Sequence, residues 1–220
     1  MILVVCATEL ELQPLLDRVI SNEKKWMSLI CGVGVVEASL SLGKFLTTQS
    51  TRFDAVLHFG VAGAYLAKQE GKAHLLDICL AEKEVFGDFG ICYANRFESL
   101  PENLAGKSSY LLDAALLEKC HVMLTKENIQ WQQGTFVTVA GVSATEQRGN
   151  MLAKQYDALC ENMEGAAVAM ACGDFDLPLI EIRCISNFVE NRDCTRWKLQ
   201  EACEKAGEIT AILLRELMQR

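Results

Sequence analysis

Short apolar runs recur along this chain, and segments with helical periodicity follow most of them. Runs typical of buried strands occupy residues 1–7, 26–32, 53–60, 74–86, 134–144, 157–163 and 177–186. Helical spacing of apolar residues is found at 9–19, 35–49, near 109–119, from 146 onwards, at 164–175 and at 202–217. The stretch 87–130 has the weakest pattern. Such alternation predicts an α/β sandwich, in which binding sites lie at the carboxyl ends of strands.

The bulk composition predicts one compact domain over residues 1–220. No Pro/Gly/Ser-rich linker divides the chain, and 50% of its residues are hydrophobic, enough for a large core. The net charge of −8 without a cluster of Lys and Arg disfavours nucleic acid as a partner. No apolar run approaches the ~18 residues of a membrane span. The first run, "MILVVCA", lacks a basic leader and reads as a strand, so we expect a cytoplasmic protein without a membrane partner.

The ten cysteines do not indicate a disulfide framework. Many lie within apolar stretches, as small core residues do, and no C-x-x-C motif is present. The three histidines are isolated from the cysteines and from one another. We therefore expect reduced thiols, no metal site and no cofactor.

Two glycine-containing segments follow predicted strands. In "CGVGVVEAS" (31–39) Glu37 stands where a dinucleotide fingerprint needs its third glycine, so a tight strand-to-helix turn is favoured over an NAD site. "GVAGAY" (60–65) is predicted to be a small-residue loop. Backbone could approach a ligand closely there, although a plain packing loop fits equally well.

Several polar residues are predicted at the carboxyl ends of strands. Glu9 and Glu11 open the first helix, and periodicity does not decide which of them faces a site. Glu164 begins an Ala-rich helix, where an acid is stabilised whether or not it has a functional role. Ser186 and Asn187 end the last core strand, as a turn or a pocket rim would. No one of these signals decides alone, but all of them converge on one edge of the sheet.

The motifs of this chain resemble those of the purine nucleoside phosphorylase/nucleosidase superfamily. The resemblance runs through "ATELELQPL", "CGVGVVEAS", "FGVAGAY", "VTVAGVSAT", "ENMEGAAVA" and "IRCISN", and it is weakest over 87–130. It implies a single-domain three-layer α/β/α sandwich with a mixed central sheet. Within the superfamily, the chain is most similar to the hydrolytic branch. This branch includes 5′-methylthioadenosine/S-adenosylhomocysteine nucleosidases and futalosine hydrolases.

The resemblance also implies roles for individual residues. Glu11 matches the general base that activates water, and Glu9 does not. Met163 and Glu164 match the ribose-binding pair, with the Glu164 carboxylate bridging the 2′- and 3′-hydroxyls. Segment 141–145, with Ala144 and Thr145, corresponds to the region that flanks the purine. Ala62 and Gly63 belong to the glycine loop beside the substrate.

Asn187 departs from the adenosine-type nucleosidases, which carry Asp at this position. A protonated Asp can accept from the 6-amino group of adenine and donate to N7. In hypoxanthine O6 and N7 are both acceptors, and an amide NH2 group can donate to both. Asn187 therefore predicts a 6-oxopurine site, in which it stabilises the leaving base without giving up a proton.

Water is the predicted nucleophile. Phosphorylases of this superfamily hold phosphate with basic side chains near the glycine loop, and no arginine follows that loop before Arg96. The extension "ISNFVENRD" resembles the futalosine hydrolase branch, which releases hypoxanthine from futalosine in a menaquinone pathway. Futalosine carries a benzoate, and Arg192 is the cation predicted to bind it. A surface salt bridge of Arg192 with Glu190 or Asp193 is the competing interpretation.

Other functions stay open at this point. An adenosine-type nucleosidase that tolerates Asn would release adenine from methylthioadenosine. A non-catalytic nucleoside-binding domain would bind tightly without turnover. Enzymes of this branch commonly pair subunits, so we expect a homodimer or a higher homo-oligomer.

Overall fold

The structure, a computed structural model, describes residues 1–19, 25–67 and 72–218. Its strands are β1 (Ile2–Cys6), β2 (Trp26–Ile30), β3 (Ala55–Tyr65), β4 (Ile78–Phe86), β5 (Ile91–Cys92), β6 (Phe97–Glu98), β7 (Ser109–Leu111), β8 (Trp131–Thr138), β9 (Ala158–Asn162) and β10 (Leu179–Val189). Its helices are α1 (Glu9–Leu16), α2 (Val35–Thr48), α3 (Glu102–Ala105), α4 (Ala114–Lys126), α5 (Glu146–Tyr156), α6 (Gly165–Asp174) and α7 (Leu199–Leu217).

The main sheet is mixed and closes partly on itself. Its order is β10-β4-β8-β9-β3-β1-β2, with β7 on the edge of β4, and β10 pairs with β3 as well as with β4. The pairs β10–β3, β4–β8 and β8–β9 are parallel, whereas β10–β4 and β3–β9 are antiparallel. The strands β3, β10, β4, β8 and β9 therefore form a closed ring of pairings, and β1 and β2 extend it outward from β3.

Helices cover this sheet in two groups. Helix α7 packs on β3 and β10, with α1 and α4 against it. Helix α6 packs on β4 and β8 and contacts α2, while α5 packs on β8 and β9. The predicted three-layer α/β/α sandwich with a mixed sheet is confirmed. Among the described residues, no helix is both long enough and apolar enough to cross a membrane.

Two predicted elements differ from the structure. Residues 60–65 are not a loop but the second half of β3, because Gly60–Tyr65 pair with β10 along their whole length. The small residues allow this close approach, since a Cβ on Gly60 would lie 2.4 Å from Glu11 Oε1. The helix predicted near 109–119 instead begins at Ala114, because the Asp113 side chain caps it, and 109–111 form the edge strand β7.

The strand β10 continues beyond the polar pair that was predicted to end it. Ile185 pairs with Ala62 and Asn187 with Gly63, so Ser186 is the additional residue of a β-bulge. Successive side chains of a regular strand point to opposite faces. The bulge breaks this alternation, so the adjacent residues Ser186 and Asn187 both reach the cavity described below.

Candidate active site

A cavity of about 250 Å³ lies near the carboxyl ends of β1, β9 and β10, beside the middle of β3. Eight residues singled out from the sequence line it: Glu11, Ala62, Gly63, Met163, Glu164, Ser186, Asn187 and Arg192. Val142 and Ser143, from the predicted 141–145 segment, also line it, whereas Thr8, Glu161 and Asn162 were not foreseen.

Two predicted substrate-binding residues do not line this cavity. The Thr145 hydroxyl caps α5 by accepting from the Arg148 backbone N–H at 3.3 Å. The Ala144 carbonyl oxygen accepts from the Arg192 backbone N–H at 3.2 Å. The flank of the cavity is formed instead by the two preceding residues, Val142 and Ser143.

Glu11 is buried and strongly oriented, whereas Glu9 is exposed. Thr8 caps α1 and forms a capping box with Glu11, so helix initiation itself fixes this carboxylate. Glu11 Oε2 accepts from the Ala7 and Thr8 backbone N–H groups and from the Thr8 hydroxyl at 3.0–3.1 Å. Oε1 accepts from the Val61 N–H at 3.1 Å. Of the two candidate acids, the fold brings Glu11 into the cavity.

Glu164 stands at the N-cap of α6 and is 4% exposed. Its Oε1 accepts from the Gly34 backbone N–H at 3.0 Å, at the start of α2. The glycine turn that resembled a dinucleotide motif thus contacts a carboxylate of the protein itself. Gly34 has φ +91°, which only glycine adopts without strain.

Arg183 lies beneath both carboxylates and was missed in the sequence. Its Nη1 is 3.6 Å from Glu164 Oε2, and a Cβ on Gly60 would meet both Glu11 Oε1 and Arg183 Nη1. Its Nε and Nη2 bond Glu181 Oε1, each at 2.8 Å. Burial disfavours this charge, but the nearby carboxylates, Glu181 foremost, raise the pKa of Arg183 above its usual value. The guanidinium therefore places a buried positive charge beside both cavity carboxylates.

Asn187 has a defined amide orientation. Its Oδ1 accepts from the Ser186 hydroxyl at 2.8 Å, and its Nδ2 donates to the Phe188 carbonyl oxygen at 3.1 Å. Nδ2 also lies against Gly63, where a Cβ would be 3.1 Å away. One N–H of the amide remains for a ligand, where the sequence had suggested two.

A third buried carboxyl group shapes the opposite flank. Glu161 accepts from the Ser143 N–H at 2.8 Å, from the Ser143 hydroxyl at 2.7 Å and from the Tyr65 hydroxyl at 3.2 Å. Burial raises the pKa of Glu161 above its usual value. These bonds fix the loop that presents Val142 to the cavity.

The outer rim carries a cation on an aromatic ring. The Arg192 guanidinium lies 4.9 Å from the centroid of the Trp197 ring, and both residues line the cavity. The acids beside it are engaged elsewhere: Glu190 with Arg196 at 2.7 Å and Asp193 with Thr195. The salt bridge considered for Arg192 is therefore not the arrangement found.

Comparisons with known proteins place this architecture in a family. A family model described as the phosphorylase superfamily matches residues 2–219. The futalosine hydrolase of Thermus thermophilus is 29% identical over 189 residues, which cover 84% of this chain and 79% of that protein. The 5′-methylthioadenosine/S-adenosylhomocysteine nucleosidase of Staphylococcus epidermidis is 22% identical over 200 residues, covering 89% and 84%.

A solved structure extends the similarity to the fold. The Helicobacter pylori 5′-methylthioadenosine/S-adenosylhomocysteine nucleosidase, crystallised with a pyrrolidinol ligand, superposes with a TM-score of 0.85 at 17% identity. The superposition covers 98% of this chain and 97% of that one. With the family match spanning nearly every residue, this chain belongs to the phosphorylase superfamily.

Proposed function

We propose that this protein hydrolyses the N-glycosidic bond of a 6-oxopurine nucleoside, with futalosine as substrate and hypoxanthine as the released base. Its relatives are named as futalosine hydrolases and as methylthioadenosine/adenosylhomocysteine nucleosidases, all of them N-glycosidases. N-glycosidic hydrolysis of a nucleoside is the activity common to them. The observation that carries the finer assignment is the oriented amide of Asn187.

Glu11 is the general base in this proposal. Its Oε2 is saturated by three donors, whereas Oε1 accepts one protein hydrogen bond and keeps room for a water proton. A base within hydrogen-bond reach of the attacking water contributes on the order of 10²–10⁴-fold to the rate. The bonds that orient Glu11 all come from backbone or from Thr8, so the carboxylate needs no reorganisation when water binds.

Glu164 and Glu11 also stabilise the sugar as it becomes cationic. Cleavage of an N-glycosidic bond builds positive charge on the ribosyl ring, which fixed carboxylates favour. Glu164 is the residue proposed to bind the ribose hydroxyls, with Met163 beside it in the cavity. Arg183 offsets part of the repulsion between the two acids, which otherwise would raise the cost of burying both.

Asn187 selects the base. The Ser186 hydroxyl and the Phe188 carbonyl orient the amide, and the remaining N–H of Nδ2 is the group proposed to face the purine. A 6-oxopurine offers acceptors at O6 and N7, whereas the amino group of adenine would meet an N–H and lack a partner. An unsatisfied buried polar group costs about 1–3 kcal/mol, which sets the scale of the preference. The base then leaves as an anion stabilised by this N–H or takes its proton from water.

Water is the proposed nucleophile because the cavity offers phosphate little charge. Among the described residues that line it, Arg192 is the one cation, and it lies on the rim. Arg183 is buried beneath the floor and is already bonded to Glu181. A phosphate beside Ala62 and Gly63 would face Glu11 and Glu164 without a compensating cation.

Arg192 is proposed to bind the carboxylate of the 5′ substituent. Its guanidinium lies over the Trp197 ring at the rim. The neighbouring acids Glu190 and Asp193 bind other residues and leave this guanidinium available to a ligand. Arg192→Ala should raise KM for futalosine with little change in KM for inosine, which lacks the benzoate. The matched control is Arg196→Ala, since Arg196 pairs with Glu190 outside the cavity lining.

The deciding experiment is a substrate panel without phosphate. Purified protein is incubated with futalosine, inosine and methylthioadenosine, and the released bases are separated by chromatography. Hypoxanthine from futalosine supports the proposal, and adenine from methylthioadenosine would contradict the role given to Asn187. If no base appears even after phosphate is added, a nucleoside-binding module becomes the better description.

A further inference from the structure

A second polar cluster extends from Asn162 in the cavity lining into the core, and none of the proposed chemical steps takes place there. It consists of Glu84 on β4, Thr138 on β8 and Asn162 on β9, and all three are buried. Asn162 Nδ2 donates to Glu84 Oε1 at 2.5 Å, and Thr138 Oγ1 is 2.8 Å from Glu84 Oε2. Three strands of the closed ring thus meet at a single carboxyl group.

This cluster binds the start of α6. Asn162 Oδ1 accepts from the backbone N–H groups of Glu164 and Gly165 at 2.9 and 2.7 Å. Thr138 Oγ1 accepts from the Ala166 N–H at 2.7 Å. The first N–H groups of a helix have no partners within it, and here side chains tied to Glu84 satisfy three in succession. The backbone that carries the Glu164 carboxylate into the cavity is therefore fixed from below.

The contacts around Thr138 accommodate a neutral Glu84. Thr138 Oγ1 accepts from Ala166 and lies close to two further oxygens, Glu84 Oε2 and Asn162 Oδ1, the latter at 3.2 Å. A hydroxyl has one proton, so it can serve only one of them. If Glu84 carries a proton, it donates to Thr138, and Thr138 donates to Asn162. If Glu84 is ionised, Thr138 donates to it instead and its link to Asn162 is lost, while Asn162 Oδ1 keeps its two backbone donors.

Burial and the charges around Glu84 favour its neutral, protonated state. From β10, Glu181 approaches it closely, because a Cβ on Gly165 would lie 2.0 Å from Glu84 Oε1 and 2.7 Å from Glu181 Oε1. Burial opposes the Glu181 charge, but Arg183 and His58 lower the pKa of Glu181 below its usual value. Burial, and then the Glu181 charge, raise the pKa of Glu84 well above its usual value.

The other groups that face Glu84 do not bring its pKa back to the usual value. The Arg183 charge favours ionisation of Glu84, but its guanidinium bonds Glu181. Cys160 on β9 presents a thiol whose pKa burial raises, so it stays neutral. The remaining contacts, from Thr138 and Asn162, do not titrate.

We propose that Glu84 is a positioning residue that remains a neutral carboxylic acid, and that its proton holds Thr138 and Asn162 in the arrangement that fixes Glu164 in the cavity. Its effect on turnover rests on the proposed role of Glu164. Its protonation state is a property of the fold and can be measured without any substrate. Ionisation of Glu84 at high pH releases the α6 N-terminus and so weakens binding of the sugar.

The test compares Glu84→Gln with Glu84→Leu. Glutamine keeps both hydrogen bonds of the neutral acid, since its oxygen accepts from Asn162 and its amide donates to Thr138. Leucine keeps the volume and removes both. Glu82→Gln is the matched control, because Glu82 is an exposed acid of the same strand and the same two residue types are exchanged.

The first readout is the melting temperature as a function of pH. In the unfolded chain Glu84 ionises near its ordinary pKa of about 4.3, so between that pH and its raised folded pKa only the folded state keeps the proton. Wild-type stability therefore falls with rising pH relative to Glu84→Gln, which does not titrate. We expect the melting temperature of Glu84→Gln minus that of wild type to grow from ~pH 5 to ~pH 9. A difference that does not vary with pH, or that matches Glu82→Gln, overturns the proposal.

The second readout is kcat and KM on whichever nucleoside the wild type cleaves. Glu84→Gln should keep kcat/KM at neutral pH and lack the decline that the proposal predicts for wild type at alkaline pH. Glu84→Leu should lower kcat/KM by about tenfold to a hundredfold, mainly through KM, as unsatisfied buried groups predict. Equal impairment of the Gln and Leu variants would mean that Glu84 acts as an anion. Failure of the substrate panel leaves the first readout intact, so the two proposals fail separately.

Discussion

The proposed general base, Glu11, differs from its neighbour Glu9 only in where the fold directs the carboxylate. Glu11→Gln keeps the shape of the side chain, but its NH2 group must replace either Oε1 or Oε2, and both of these oxygens face N–H donors. The amide also cannot accept a proton from water. We expect kcat to fall on the order of 10²–10⁴-fold with a small change in KM. Glu9→Gln, on the exposed side of the same helix turn, should leave both constants unchanged. Steady-state kinetics on the cleaved nucleoside check this, and an active Glu11→Gln enzyme would exclude Glu11 as the base.

Purine discrimination should depend on a side chain that need not touch the base. The Ser186 hydroxyl donates to Asn187 Oδ1 and so orients the amide, and without it the amide can turn to offer this oxygen to the amino group of adenine. Ser186→Ala should therefore reduce the ratio of kcat/KM for 6-oxopurine over 6-aminopurine nucleosides by up to about tenfold. Asn187→Asp should shift the ratio further in the same direction. A ratio that Ser186→Ala leaves unchanged would show that the hydroxyl does not set the amide orientation.

The positions of cavity residues were predictable from sequence where they lie in short motifs, and unpredictable where they depend on long-range contacts. Glu11, Glu164 and Asn187 were found through the family resemblance. Arg183 was not, although a charged residue inside the strand-like "LIEIRCI" is a signal, because a buried guanidinium requires carboxylate partners. Those partners come from α1, α6 and the same strand, which no local pattern connects.

At the scale of elements, the apolar runs predicted most strands, but they did not predict that β3 and β10 continue beyond these runs. Residues 60–65 contain one β-branched residue, Val61, among small residues and read as a loop, yet β10 and β9 pair with them. Ser186 and Asn187 read as a strand end, yet the bulge lets β10 continue to Val189. The site depends on both extensions, since Gly63 and Asn187 are partners in this added pairing.

The start of α6 should be intolerant of any side chain at Gly165. A Cβ there would lie 2.0 Å from Glu84 Oε1 and 2.7 Å from Glu181 Oε1, and both carboxyl groups are fully buried. Gly165→Ala should lower stability by about 1–3 kcal/mol, as overpacking does. Gly173→Ala in the same helix meets nothing within 4 Å and should be neutral or stabilise by about 0.5–1 kcal/mol. Urea unfolding of both variants tests this, and equal midpoints would contradict the packing around Gly165.

At the scale of the whole molecule, the closed ring of strands joins distant parts of the sequence into one core. Seven buried cysteines belong to a single contiguous apolar cluster: Cys6, Cys31, Cys79, Cys120, Cys160, Cys172 and Cys184. They lie on or beside elements of both helical layers and of the sheet. The predicted homodimer or higher homo-oligomer stays a prediction, and light scattering measures it directly.

The single domain predicted over 1–220 can be tested through these thiols. Burial raises the pKa of Cys31 and Cys184 to about 12, so neither exposure nor ionisation favours their reaction in the folded state. In the native protein a thiol reagent should label only Cys92 and Cys194, the two exposed cysteines. With increasing urea, the seven cysteines of the core cluster should become reactive in one transition that coincides with loss of circular dichroism, because one core unfolds as a unit. Mass spectrometry of the labelled peptides identifies each site. Two groups of cysteines that react at separate urea concentrations would instead mean that the chain contains two independently stable units.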